Sequence, residues 1–207
     1  RLAGEAGLAA SGAFSTGAWS LAVANSRGLF AFHSSTRAAF TVVIMGEDSS
    51  GYAAGAAWDI EQLDTEALGR EAIATALLGR RPRAMAAGEY PVVLKPYAVC
   101  DVLGTLGAIG FGALAVQEQR SFLAGRIGEQ VASPLVTVWD DGLDRRGLPM
   151  PFDYEGVPKQ RVTLIENGVA RGPVYDLETA GREGRRSTGH GLPAPNTRGP
   201  MPAHLFM

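Results

Sequence analysis

The sequence predicts an α+β fold: an antiparallel sheet-dominated domain with a few helices. Strand-like segments occur before and after one well-marked helix, and the residues between neighbouring strands are those of hairpin turns. The chain of 207 residues is 46% hydrophobic, which suffices for a core. Strands grouped in this way fit an antiparallel sheet, whereas a doubly wound parallel sheet needs strands and helices in alternation.

The first predicted strands lie near the amino terminus. Residues 21–24, 29–33 and 38–45 are rich in aromatic and β-branched side chains. Residues 25–28, with the sequence Asn-Ser-Arg-Gly, supply turn chemistry between the first two. We therefore expect short strands arranged as an antiparallel meander.

Two helices are predicted around this meander. Residues 2–10 are rich in alanine and favour a short helix, which residues 11–12 should end because they are Ser-Gly. The second helix has Asp64 as its N-cap, and Gly79 followed by a proline should stop it. Its expected apolar side consists of Leu68, Ala72, Ile73, Ala76 and Leu77.

Further buried elements are predicted in the middle of the chain. Residues 90–95 and 135–139 are expected to form short buried strands. Between them, residues 102–116 are apolar but rich in glycine, which favours a helix with interruptions. A membrane span needs about 20 apolar residues, so we expect a buried element and no membrane contact.

The clearest local signal is a hairpin. Residues 162–166 and 169–175 are expected to be strands joined by Asn167 and Gly168, a pair that fits the positive φ angles of a type I′ turn. Beyond Arg182 the chain is rich in glycine, proline and arginine, which predicts an extended surface tail that packs on something else.

Composition limits the function classes. The net charge is −2 with acids and bases interspersed, so there is no electrostatic footprint for nucleic acid. Cys100 is the single cysteine, so no intrachain disulfide can form and a reducing cytoplasm is the default compartment. We expect Cys100 to be a packed thiol. Because the sequence starts at Arg1 without a signal peptide, we expect a fragment or a processed chain.

The motifs of common hydrolases are absent. Zinc peptidases need two imidazoles one helical turn apart plus a carboxylate base, the HExxH pattern. The only histidines are His33, His190 and His204, and none has a second at that spacing. No GxSxG nucleophile motif occurs either. Residues 110–115 loosely match a dinucleotide-binding pattern, but close backbone packing is the favoured interpretation of these glycines.

Carboxylates form the most suggestive cluster. Asp140 and Asp141 end one predicted strand, and Asp153 and Glu155 precede the next one. They could line one cleft, with His190 as a further candidate for substrate contact. The alternative is that such acids are solvated turn formers. His190 has a glycine on each side, which is also compatible with a solvated imidazole in a turn.

Several segments in register resemble the TldD/PmbA family, whose historical label is modulator of DNA gyrase. The resemblance covers essentially the whole chain and is stronger after Tyr90 than before Asp59. The segments are residues 89–96, 133–142, 151–158, 164–169 and 187–189. In domain terms it implies a central part of the family fold at residues 1–88 and a C-terminal part at 89–207, with the family's N-terminal half absent.

The resemblance also implies where a metal would lie. TldD-type members carry HExxH shortly after the strand that resembles residues 90–95, and a companion TldE/PmbA-type subunit lacks it. Gly104, Thr105 and Ala108 lie at the approximate place of that motif. None of these side chains binds zinc or moves a proton. The expected branch is therefore PmbA-like, with no cofactor in this chain and zinc only in a TldD-like partner.

Three functional hypotheses follow. The first is a non-catalytic subunit of a TldD/TldE-type peptidase complex, with a TldD-like partner or a homo-oligomer, a peptide substrate, and neither nucleic acid nor membrane as a partner. The second is an active peptidase with an unrecognised site that uses His190, Asp140 and Asp153. The third is a protein-binding regulator of DNA gyrase.

Overall fold

The computed structural model describes residues 1–207 and has the α+β fold that the sequence predicts. The chain divides into two compact units. Unit 1 comprises Arg1–Ser20 and Ser34–Pro91, and unit 2 comprises Leu21–His33 and Val92–Met207. No helix is both long enough and apolar enough to cross a membrane.

The first sheet is an antiparallel meander of long strands in the order β1-β2-β3. Its strands are β1 at Ala9–Ala24, β2 at Phe30–Met45 and β3 at Ser50–Ala57. A short helix α1 at Leu2–Glu5 precedes them. A single 3₁₀ turn at Ile60–Gln62 and the helix α2 at Thr65–Leu78 follow.

The structure confirms the predicted start and end of helix α2. The Asp64 side chain accepts a hydrogen bond from the Ala67 N–H at 2.8 Å, and Gly79 is the C-cap. Ala72 on its inner face is fully buried, because the helix lies against strand β3 so closely that a Cβ on Gly51 would come within 1.9 Å of the Ala72 carbonyl oxygen. Small residues on both elements allow this approach. Leu77, which was expected on the apolar side, is 40% exposed.

The amino-terminal prediction was wrong in its boundaries. Helix α1 ends at Glu5 and β1 begins at Ala9, so the expected break at residues 11–12 lies inside a strand. Alanine-rich sequence gives a short helix little stability of its own, and cross-strand pairing outweighs it here. Gly12 is required for another reason, since a Cβ at this position would lie 2.2 Å from the Thr41 carbonyl oxygen.

Unit 2 contains a small second sheet with the strand order β6-β5-β4-β7, all antiparallel. The strands are β4 at Val138–Asp140, β5 at Val162–Glu166, β6 at Val169–Ala170 and β7 at Leu205–Phe206. The helices are α3 at Pro96–Ile109, α4 at Ala113–Gln117 and α5 at Leu177–Arg182. Its core is made by Leu103, Phe111, Leu123, Val138, Leu164, Ile165, Ala170 and Val174.

The predicted hairpin is confirmed. Asn167 and Gly168 have φ angles of 49° and 80°, as a type I′ turn requires. The second strand is shorter than expected and ends at Ala170. The glycine-rich segment is also confirmed as an interrupted helix, because α3 ends at Ile109 and α4 begins at Ala113.

Two other strand predictions were wrong. Residues 90–95 form no strand, and Val93 in their middle is 97% exposed. Residues 135–139 contribute only Val138 and Trp139 to β4, while Leu135 is 95% exposed. Both segments have the β-branched and apolar composition of strands, but a strand forms only where a neighbouring backbone accepts and donates hydrogen bonds.

The carboxyl-terminal tail is not a surface tail throughout. Ser187 and His190 are buried, and the chain ends in strand β7, which pairs with β4. The Trp139 and Phe206 rings stack at 5.6 Å between centroids, and the guanidinium carbon of Arg146 lies over the Phe206 ring, 5.1 Å from its centroid. Aromatic stacking and cation–π attraction therefore help the strand pairing to hold the chain end.

Candidate functional site

The structure brings two of the predicted site residues into direct contact. Asp140 is the last residue of β4, and His190 lies in the tail. The His190 Nε2 atom lies 2.8 Å from Asp140 Oδ1, and both side chains have no exposed surface. His190 is therefore not a solvated imidazole, and Asp140 is not a solvated turn former.

Asp140 fixes the tail at a second point as well. Its Oδ2 atom accepts a hydrogen bond from the His204 backbone N–H at 2.7 Å. Burial by itself would raise the pKa of Asp140, but the His190 hydrogen bond and charge together with the His204 N–H hold it below its ordinary value of 3.8. The carboxylate therefore stays ionised and ties both His190 and His204 to the end of β4.

The other side of the His190 ring is also occupied. Its Nδ1 atom lies 2.9 Å from the Thr188 hydroxyl oxygen, which in turn accepts the Tyr175 N–H at 2.8 Å. When Nε2–H donates to Asp140, Nδ1 is an acceptor and the Thr188 hydroxyl donates to it. The same hydroxyl lies 3.1 Å from the Tyr175 carbonyl oxygen, so its proton has an alternative acceptor.

Asp153 is buried beside this contact and organises a loop. One carboxylate oxygen accepts the N–H groups of Glu155 at 3.0 Å and Val157 at 2.9 Å, and the other accepts the Gly191 N–H at 2.7 Å. Only 1% of the residue is exposed. Asp153 therefore holds residues 153–157 against the tail at Gly191, immediately after His190. The alternative interpretation, a solvated turn former, is wrong for Asp153 because the residue is buried.

Two further ionisable residues, Lys159 and His204, complete the cluster, and neither was predicted from the sequence. Lys159 is 7% exposed, and its ammonium makes no ion pair. Burial lowers the pKa of Lys159 from its ordinary 10.5, although Asp140 and Asp153 act in the opposite direction. Burial and then the charge of Lys159 lower the pKa of His204, whose Nδ1 atom is buried without a hydrogen-bond partner.

No local signal in the sequence would have identified these two residues. A lysine after a proline and a histidine near the chain end are ordinary surface residues by composition. Only the packing of the tail on β4 buries Lys159 and partly buries His204.

The remaining predicted carboxylates serve local structure. Asp141 accepts the Leu143 N–H at 3.0 Å, which forms a turn after β4. Glu155 Oε2 accepts the Leu177 N–H at the start of α5 at 2.8 Å. Burial first, and then the charges of neighbouring acids including Asp153, raise the pKa of Glu155 above 4.5. A role for these acids in substrate contact stays a prediction.

Helix α3 carries the positions expected to replace the metal motif. Gly104, Thr105 and Ala108 are exposed, and the Thr105 hydroxyl donates to the Asp101 carbonyl at 2.9 Å within the helix. No histidine occurs anywhere on α3, so the lack of imidazole ligands does not depend on which turn is aligned with HExxH. No three His, Cys, Asp or Glu side chains in the chain are grouped so as to hold a metal ion. The residues present therefore do not fit zinc.

The single cysteine also lies on α3. Cys100 is exposed, so the prediction of a packed thiol was wrong. The buried face of this helix uses Leu103 and Gly107, and a Cβ on Gly107 would come within 2.9 Å of the Leu205 side chain. Position on the helix, not the general tendency of cysteine to be buried, decides its exposure.

The two parts of the chain match two family models. Residues 2–80 match the PmbA/TldA metallopeptidase central domain, and residues 87–206 match the PmbA/TldA metallopeptidase C-terminal domain. The chain therefore belongs to the PmbA/TldD family, as its in-register segments indicated.

Individual relatives agree with this assignment. The Metalloprotease TldD homolog of Haemophilus influenzae is 34% identical over 162 residues, which are 76% of this chain and 34% of that protein. Metalloprotease PmbA of Escherichia coli O157:H7 is 27% identical over 173 residues, covering 80% and 38% respectively. A crystal structure from Thermotoga maritima, described as a candidate modulator of a DNA gyrase, has a TM-score of 0.79 at 28% identity over 91% of this chain and 44% of that one.

The chain spans only part of these proteins. It aligns with between 23% and 43% of the length of the curated relatives. The family assignment therefore applies to the central and C-terminal domains, and the activity of a whole family member is a matter for proposal.

Proposed function

We propose that this chain is a non-catalytic, PmbA/TldE-like subunit of a TldD/TldE-type metallopeptidase complex that matures or degrades peptides. The observation that carries the proposal is the composition of helix α3. Where the family's catalytic branch would hold two imidazoles and a carboxylate, this helix has Gly104, Thr105 and Ala108 and no histidine at all. Overall similarity does not choose the branch, because relatives of both names match the chain.

Zinc and the general base would then belong to a TldD-like partner. A metallopeptidase needs the metal to activate water and a carboxylate to take its proton. This chain would contribute a folded surface that completes the complex. The part of that surface at the expected position of the absent HExxH motif is the exposed face of α3 around Gly104. An exposed, unpaired Cys100 is compatible with a reducing cytoplasm.

The test is reconstitution with the TldD-like, HExxH-bearing protein of the same organism. The two chains are co-expressed, purified through a tag on this chain, and assayed for bound zinc and for cleavage of an unstructured peptide. We expect bound zinc and peptide cleavage in the complex, and neither of them in this chain alone. The matched control replaces the HExxH glutamate of the partner by glutamine, which should abolish cleavage while the complex still forms. Stoichiometric zinc and peptide cleavage by this chain alone would refute the proposal.

One observation favours a second candidate, an active peptidase with a different site. Asp140, His190 and Thr188 form a carboxylate–imidazole–hydroxyl chain of the kind that activates a nucleophile. Against it, both nitrogens of the imidazole are enclosed and the hydroxyl is already bonded to Tyr175. If the purified chain cuts peptides and Thr188→Val abolishes cleavage while Thr188→Ser keeps it, this candidate replaces the first.

A further inference from the structure

Strand β7 is joined to β4 by few backbone contacts, and His204 lies at the start of this junction. Its carbonyl oxygen accepts the Asp141 N–H at 3.0 Å, and its own N–H donates to Asp140 Oδ2 at 2.7 Å. The strand ladder beyond His204 contains only two residue pairs. A junction this short can open locally while the rest of unit 2 stays folded.

The surroundings of the His204 ring disfavour a second proton. A neutral imidazole can leave one nitrogen without a proton, but an imidazolium carries N–H on both. The Nδ1 atom of His204 is buried without a hydrogen-bond partner, so a proton there would find no acceptor. The titratable groups that face the ring are Lys159, Asp140 and His190. Lys159 makes no ion pair, and the Asp140 carboxylate is already bonded to His190 and to the His204 N–H.

We propose that β7 and His204 form a pH-sensitive latch, which is closed on β4 while the His204 ring is neutral and opens when the ring takes up a proton in mild acid. Opening moves the ring into water, where both N–H groups are solvated and the positive charge is separated from Lys159. Leu205 of β7 packs against α3 at Gly107, so the open latch also uncovers part of the buried face of that helix.

The pH range of the latch follows from the charges around the ring. Burial first, and then the charge of Lys159, lower the pKa of His204 below 6.5, against the smaller opposing effects of Asp140 and the Leu148 carbonyl. A lowered pKa in the closed form means that closure is fully favoured above pH 6.5 and is weakened as the pH falls below that value. Each pKa unit between the closed and open forms raises the opening constant about tenfold. Asp140 stays ionised in this range, because its pKa lies below 3.8.

The test is amide hydrogen exchange of the whole chain, followed by NMR from about pH 7.5 to about pH 5. Each exchange rate is divided by that of an unstructured peptide at the same pH, which gives a protection factor. We expect the Asp141 and His204 amides, which bond across the junction, to lose protection in acid. The Ala170 N–H donates to the Glu129 carbonyl at 2.9 Å elsewhere in unit 2, and as the internal reference it should keep its protection.

Three variants separate the proton sensor from the strength of the latch. His204→Gln has no titrating ring, so the two junction amides should be equally protected at both pH values. Phe206→Ala removes the ring that stacks on Trp139, so it should lower protection at both pH values and keep the further loss in acid. Lys159→Met should reduce the loss in acid, because burial then opposes the proton without a neighbouring cation.

Two results would overturn the latch. The first is equal protection of the wild-type Asp141 and His204 amides at both pH values. The second is a loss in acid that persists in His204→Gln, or that the Ala170 amide shares to the same extent, since the change would then come from another group or from unfolding of the whole unit.

Discussion

Replacement of Asp140 is the most informative perturbation of unit 2, because one buried carboxylate joins β4 to two places in the tail. Asp140→Ala leaves the His190 Nε2–H and the His204 N–H without the acceptors that lie at 2.8 Å and 2.7 Å. Each buried N–H that loses its acceptor costs about 1–3 kcal/mol, so the two together cost about 2–6 kcal/mol. For a chain of this size that corresponds to a fall in Tm of roughly 4–24 °C.

Asp140→Asn should cost less, about 2 kcal/mol, for a reason visible in the structure. The introduced amide oxygen still accepts from the His204 N–H, and its NH₂ group can donate to His190 if the ring changes tautomer. The Thr188 hydroxyl allows that change, because its proton can turn from His190 Nδ1 to the Tyr175 carbonyl at 3.1 Å. Two charge-assisted hydrogen bonds then become ordinary ones, each losing about 1 kcal/mol.

The assay is urea unfolding in a Trp19→Phe/Trp58→Phe background, so that the fluorescence reports Trp139, which adjoins Asp140. Glu166→Ala is the matched control, since Glu166 forms an exposed ion pair with Arg171 at 2.7 Å and its removal should change stability much less. Because the folded-state pKa of Asp140 is lowered, its stabilisation is complete above pH 3.8 and is lost as the pH falls through the folded value. Equal losses for the alanine and asparagine variants would refute the tautomer argument, and no loss for either would refute the role of the carboxylate.

Three further predictions concern other residues. Lys159→Met should stabilise the fold at pH 7 by about 1 kcal/mol in urea unfolding, because the lysine is only 7% exposed and its ammonium makes no ion pair. It should also raise the pKa of His204, measured by NMR titration, since the Lys159 charge helps to lower that pKa. Glu155→Gln should give a small stabilisation at pH 7 and none below pH 4.5, because a raised folded-state pKa means that the charged carboxylate destabilises the fold as the pH rises through that value. Gly51→Ala should destabilise unit 1 by about 3 kcal/mol through a backbone clash, whereas Gly69→Ala, which has open space inside α2, should stabilise it by about 1 kcal/mol in the same measurement.

Local chemistry made several elements predictable. Helix α2 begins at Asp64 and ends at Gly79 because a capping carboxylate and a glycine stop act within one turn of the backbone they satisfy. The turn at Asn167 and Gly168 is similar, since positive φ angles are accessible to these residues wherever they occur. In both cases the stabilising atoms are close neighbours in the chain, so the amino-acid order already contains the interaction.

Predictions that needed a distant partner were less successful. Residues 90–95 have the composition of a strand, but no strand pairs with them. The candidate site was half predicted, because Asp140, Asp153 and His190 were identified while their burial was not expected. Lys159 and His204 were missed, since neither differs from a surface residue until the tail packs over it.

The sequence by itself determined the family, the absence of an HExxH motif from these 207 residues and the elements whose caps and turns are local. The tertiary structure alone decided that Asp140 and His190, 50 residues apart, form a buried hydrogen-bonded pair. It alone decided that residues 9–20 form an exposed edge. The physical reason is that burial and strand pairing are properties of the neighbours that folding brings together, and those neighbours are not adjacent in the chain.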